Sequence, residues 1–222
     1  MAGLVSLIQG NSDLLWDSFL VMLELNAASI AFALVLGIAI GVGRHCGPRL
    51  LDYGLGLFVD VIRSIPILVI VVWTFFAFPY FLDLPALPPL AAGVIALGMH
   101  SGAYIAEVVR GGMGSVRAGQ MQAGLALGMS PMRVIWRVIL PQALVRSLPA
   151  IGNRVSRNIK DSVLTSTIAV KDLFWAGILL NGELSRPFLI YTTLMVFYFI
   201  VTELVSRAFE GVYQRVATLG RA

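Results

Sequence analysis

The sequence predicts an all-α membrane protein with five transmembrane helices, its N-terminus outside and its C-terminus cytoplasmic. Composition is the first sign. Of 222 residues, 58% are hydrophobic and only 13% charged, and the mean hydropathy is +0.87, far outside the soluble range. The second is a set of long uncharged runs: Leu25–Gly43, Ser64–Leu82, Leu84–Ala106 and Pro187–Thr202. A spanning helix needs about 20 mostly apolar residues. The first three runs suffice, and the fourth does if Arg186 and Glu203 lie at the interfaces. Runs this long exclude a β-barrel, whose strands are shorter and alternate. The third sign is where the basic residues fall.

Taken in order, the first fifteen residues carry no Lys or Arg, and a span over 18–43 follows. Arg44 and Arg49 mark the next loop as cytoplasmic, because inner loops are Lys/Arg-rich. A second span over 54–78 leads to a loop with Asp83 and no base, hence outside. A third span over 85–109 returns to a loop rich in arginine: Arg110, Arg117, Arg133 and Arg137. The last span, 187–207, precedes Arg207, Arg215 and Arg221. Four spans would strand that basic tail outside, so a further crossing is expected over 142–168. This segment is polar, with Arg146, Asn153, Arg154, Arg157, Asn158, Lys160 and Asp161. Such a span cannot face lipid and must face protein or water.

Between the third span and the polar one lies a punctuated cytoplasmic stretch, 119–141. It reads as two short helices broken at Gly128. Ser130 stands at the N-cap of the second, Pro131 at its first position, and Pro141 enforces its stop. Met132, Ile135, Trp136 and Ile139 follow the i, i+3, i+4, i+7 spacing of one apolar face. That pattern fits a helix lying on the bilayer or one docking a soluble partner.

Gln122-Ala123-Gly124, then Gly128, Val138 and Leu140-Pro141, resemble the EAA loop of the membrane subunits of binding-protein-dependent ABC importers. The family pattern has Glu, Ala and Ile where this chain has Gln122, Gly124 and Val138; the spacing is intact. Other segments resemble the branch that carries polar amino acids: Val61–Pro66, Ala103–Gly112, and Lys160-Asp161-Ser162-Val163-Leu164 with Ser166 and Ile168. The likeness covers residues 17–214 and implies a type 1 importer transmembrane domain.

The resemblance implies a permease subunit translocating a polar amino acid, or a close analogue, across the inner membrane of a prokaryote. Its expected partners are two ABC ATPase subunits, a second permease subunit (the same or a sister), a periplasmic or extracellular solute-binding protein and the lipid bilayer, with no nucleic acid. No phosphate loop of the Gly-x-x-x-x-Gly-Lys-Ser/Thr type is present, so ATP chemistry is assigned to the partner. No catalytic residue, metal or cofactor is expected. The coupling residues it implies are Gln122, Ala123, Gly124, Gly128, Leu140 and Pro141. An alternative within the class is a permease for another small solute, such as a compatible solute or opine.

An amino acid zwitterion needs a cation for its carboxylate and an acceptor for its ammonium group. The candidate path residues are therefore Lys160, Asp161, Ser162, Arg63 and Glu24. Spacings of three and four also allow Asp60–Arg63, Glu107–Arg110 and Arg157–Asp161 to neutralise each other on a helix face, which is the reading for Glu107–Arg110. His100 is expected to bond another helix rather than relay protons. Gly37 and Gly41 form a small-xxx-small motif read as intramolecular packing. The lone Cys46 excludes a disulfide framework. Two rival classes lack their signatures: an intramembrane enzyme needs a nucleophile or acid/base set, and an ATP-independent secondary transporter an inverted repeat with matched broken helices.

Overall fold

In the computed structural model, residues 10–219 are described; Arg221 and the first nine residues of the Lys/Arg-free start lie outside them. The element order is α1 (Ser12–Cys46), α2 (Arg49–Ser64), α3 (Ile67–Phe81), α4 (Pro89–Gly114), α5 (Ala118–Ala126), α6 (Pro131–Val134), a π-helical segment (Ile135–Ile139), α7 (Leu140–Asp161), a 3₁₀ segment (Ser162–Ile168), α8 (Leu173–Leu184) and α9 (Pro187–Leu219). Four helical stretches are long and apolar enough to cross a membrane, and five if the bent α2–α3 pair counts as one span.

The expected second span falls on that pair. Residues 54–78 are not one rod: α2 and α3 meet at 104°. Pro66 explains the break, because a residue before proline is pushed out of the helical region. Ile65 accordingly sits extended at φ −89°, ψ 133°. Each half has 15 or 16 residues, about 24 Å of helix, which is short of the roughly 30 Å hydrocarbon core.

α4 is the central helix, touching α1, α2, α3 and α7. Glycine allows its close approach to α1. A Cβ built on Gly37 would lie 2.6 Å from the Ile105 side chain and 2.9 Å from the Gly102 carbonyl, and one on Gly41 would lie 2.8 Å from the Ala106 carbonyl. The small-residue motif therefore serves packing within the chain. Leu25, Ala92, Ala96 and Leu97 form one part of the core, and Ala33, Ile105, Val109, Met113 and Ile139 another. Apolar side chains such as Trp16, Phe199 and Leu204 point outward, as lipid-facing positions require.

Pro141 does not stop the helix as expected. The chain continues from Pro131 to Ile168 as one helical stretch of 38 residues. Proline lacks an N–H and its ring crowds the carbonyl of the preceding turn; here the π-helical turn at Ile135–Ile139 lies just before it. A π turn loosens the ladder by one residue. The far end then tightens into a 3₁₀ segment. Ser162, Thr165, Ser166 and Thr167 each donate a hydroxyl to the carbonyl three residues earlier, at 2.7–2.8 Å, and Ala169 ends the segment at φ 63°.

Candidate functional site

The element at 119–141 is built on one tight turn. Gly128 has φ +79° and its surroundings are open, so backbone conformation, not space, demands glycine. Gly124 is demanded by space: a Cβ there would lie 2.6 Å from the Val134 side chain. The second alanine of the family pattern would not fit this closure. Ser130 occupies the N-cap with extended backbone, but its side chain makes no capping bond. Gln122, Ala123 and Pro141 are exposed, while Leu140 is buried. The anticipated single apolar face is divided. Ile135 and Ile139 enter the core, whereas Leu127 (82% exposed), Met132 and Trp136 stand outside.

Within the bundle, a chain of polar side chains ties α1, α4 and α7 together. Asn158 is fully buried. Its amide accepts from the Ser101 hydroxyl (2.6 Å) and donates to Ser29 Oγ (2.9 Å) and Asn26 Oδ1 (3.2 Å). Asn26 in turn donates to Ser162 Oγ (3.1 Å). Arg154 is 6% exposed. It pairs with Asp161 (3.0 Å) and donates to Ser101 Oγ (3.2 Å) and His100 Nδ1 (3.0 Å). Because a guanidinium has no acceptor, Nδ1 must be one; His100 is thus a cross-helix hydrogen-bond partner, as expected. The Tyr104 ring receives two cations, Arg154 at 4.7 Å and Arg63 at 4.8 Å from its centroid. Such stacking stabilises guanidinium groups in a poorly solvated setting.

The path candidates separate into groups. Lys160 and Asp161 line one cleft of 570 Å³ with Asn153, Ser156, Arg157 and Ser206. Asn153, Arg157 and Lys160 are exposed on one face of α7, uncovered by the rest of the chain. Ser162 is buried behind that face, in the polar chain. Arg63 is exposed at the end of α2 and meets the site at the Tyr104 ring. Glu24 is exposed on α1, outside this cleft, and forms no ion pair among the described residues. Arg63, Glu24 and Lys160 are thus not buried within the single chain.

The spacing rule mispaired Asp161. Its partner is Arg154, seven residues earlier, and Arg157 faces the cleft instead. No ion pair joins Asp60 to Arg63 among the described residues. Glu107 does bind Arg110 (2.8 Å), and it also binds Arg44 of α1, which holds Asp52 of α2 at 3.0 Å. Sequence reasoning did not single out Asn26, Ser29, Ser101 or Tyr104. The available signal was a polar pair three apart, Asn26 and Ser29, inside an uncharged span.

Membrane-length helices, an interior polar chain, a charged cleft and an exposed two-helix element at one end define a subunit of a membrane transport system. The comparisons narrow the class. The chain belongs to the family of binding-protein-dependent transport system inner membrane components, whose profile matches residues 33–215. The glutamine transport system permease protein of Escherichia coli is 36% identical over 213 residues, covering 96% of this chain and 94% of that protein. The L-cystine transport system permease protein of Bacillus subtilis is 33% identical over 185 residues, covering 83% and 78%. Among solved structures, a chain of an amino acid ABC transporter crystallised with histidines superposes with a TM-score of 0.84. It is 27% identical and covers 95% of this chain and 97% of its own.

Proposed function

We propose that this chain is the permease subunit of an ATP-driven importer that carries a polar amino acid across the cytoplasmic membrane. The observation that carries the proposal is the cleft on α7. Lys160 and Asp161 place a cation and a carboxylate side by side, the pair a zwitterion requires. The names of the relatives, which concern glutamine and cystine, support the same substrate class.

ATP is hydrolysed by a separate partner subunit, a reading consistent with the want of a Gly-x-x-x-x-Gly-Lys-Ser/Thr stretch in the given sequence. Two ATPase subunits grip the element at 119–141 from the cytoplasm. Support comes from the exposed apolar knob of Leu127, Met132 and Trp136, set among Arg117, Arg133 and Arg137; such a patch on a water-facing element marks a protein contact. A second permease subunit covers the face of Arg157 and Lys160, because these charges cannot stand against lipid. A solute-binding protein delivers substrate from outside, where the N-terminus lies, while the basic C-terminal end is cytoplasmic. ATP then acts through differential contacts with inward- and outward-open states.

Reconstituted with its ATPase and binding protein in proteoliposomes, the chain should take up a radiolabelled polar amino acid only with internal or external ATP at the ATPase face. Uptake that ignores ATP would place the protein in the secondary-transporter class and end this reading.

A further inference from the structure

Two arginines converge on one ring. Tyr104, half-buried on α4, has the Arg154 guanidinium 4.7 Å from its centroid and the Arg63 guanidinium 4.8 Å away. Cations from α7 and α2 thus share a single aromatic seat. Their neutralisation is unequal. Arg154 is buried and has a carboxylate, Asp161, at 3.0 Å. Arg63 is exposed and forms no ion pair among the described residues. It stands in the last turn of α2, two positions before the extended Ile65, at the elbow where α2 and α3 meet at 104°. Asp161 has a second setting as well, because it lines the charged cleft with Lys160.

We infer that Arg154 and Tyr104 are positioning residues of a relay that reports an occupied cleft to the α2–α3 elbow. This rests on the importer reading above. With the cleft empty, Asp161 offsets the Arg154 charge, and both guanidiniums can lie against the electron-rich ring. A ligand's ammonium group at Asp161 neutralises that carboxylate. Arg154 cannot follow the carboxylate, because its guanidinium is also held by Ser101 at 3.2 Å and His100 at 3.0 Å. Its charge is then left bare in a poorly solvated setting, where like charges repel strongly. The cation with fewer ties yields, and Arg63 leaves the ring. Its departure frees the last turn of α2, and the elbow, already non-helical at Ile65, is the hinge that absorbs the change. Empty and occupied states thus differ in named contacts at both ends, which coupling between two sites requires. The ring face does the seating, so phenylalanine should serve at this position and leucine should not.

The test reads the elbow through a nitroxide on Ser64→Cys, an exposed position beside Arg63. Cys46→Ala removes the chain's own thiol, and the permease is labelled before assembly with its ATPase in nanodiscs. Asp161→Asn mimics the neutralised carboxylate without any cargo. It should raise the mobile fraction of the spectrum at least about twofold, the scale of a weak cation–π contact. Adding Arg154→Met to Asp161→Asn removes the repelling charge and should return the label to the wild-type spectrum. Tyr104→Phe should keep that spectrum, whereas Tyr104→Leu should show the mobile one with or without Asp161→Asn. Monodisperse elution checks that the variants fold. A label unmoved by Asp161→Asn, a double variant as mobile as Asp161→Asn alone, or Tyr104→Phe as mobile as Tyr104→Leu overturns the relay. ATP-driven uptake of a mixture of radiolabelled amino acids by the complete transporter separates the two levels. Uptake with an unresponsive elbow sinks the relay alone, and no uptake sinks the importer reading and the relay's cargo with it.

Discussion

Replacing Asn158 with alanine should unfasten three helices at once. The side chain is fully buried, and its removal deletes the bonds to Ser101 on α4 and to Asn26 and Ser29 on α1. Hydrogen bonds between helices in a bilayer average about 0.6 kcal/mol apiece, so their loss comes to about 2 kcal/mol. The cavity left behind adds to that, which makes the figure a lower bound. For a chain of this size, each kcal/mol moves the melting midpoint by about 2–4 °C. Asn158→Ala should therefore melt roughly 4–8 °C or more below the wild type, followed as loss of monodisperse protein on heating in detergent. Asn153→Ala, five residues earlier on the exposed face of the same helix, controls for helix propensity and should shift the midpoint little. If both variants melt alike, the polar chain contributes no net fastening and the argument from burial fails.

The buried Arg154–Asp161 pair should show strong coupling. Losing one partner strands a charge and costs about 3–5 kcal/mol, so Arg154→Met with Asp161→Leu should melt closer to the wild type than either single change. A double variant as unstable as the sum of the singles would refute the pairing. Gly128→Val forces a β-branched residue into the left-handed region, which costs about 1–2 kcal/mol. The variant should insert normally while uptake no longer follows ATP hydrolysis; coupled uptake at the wild-type rate would dismiss the loop as the transmission element. Lys160→Met should raise the KM of uptake without loss of ATPase co-elution. An unchanged KM would remove Lys160 from the path.

The membrane class, the polar helical stretch over 142–168 and the short helices on either side of Gly128 were legible in the sequence, because hydropathy and Gly–Pro punctuation act locally. The interior of the site was not. Helical spacing joins Arg157 to Asp161, four residues apart. The actual partner, Arg154, is two turns away, and it is held there by Ser101 and His100 of another helix. Neither contact has a sequence distance that a periodicity rule inspects. The break at Pro66 and the continuity through Pro141 show the same limit from the other side. Both prolines deny a backbone bond. At Pro66 the residue before it turns extended and the helix bends by 104°, whereas at Pro141 a π turn takes up the misfit. Which outcome occurs depends on packing: Ile135, Ile139 and Leu140 are sunk in the core against α4, which favours carrying the helix onward.

In the importer proposed above, that continuity gives cargo and motor a common axle. Trp136 at the exposed knob and Lys160 at the cleft ride on the same rod, 24 positions apart and so separated by about 36 Å of rise. Rolling or sliding the inner end must swing the cleft wall in step, with the wider π coil at Ile135–Ile139 as the place where torsional slack can collect. A stiffer coil there would tighten the gearing between hydrolysis and release, and a looser one would let the engine idle.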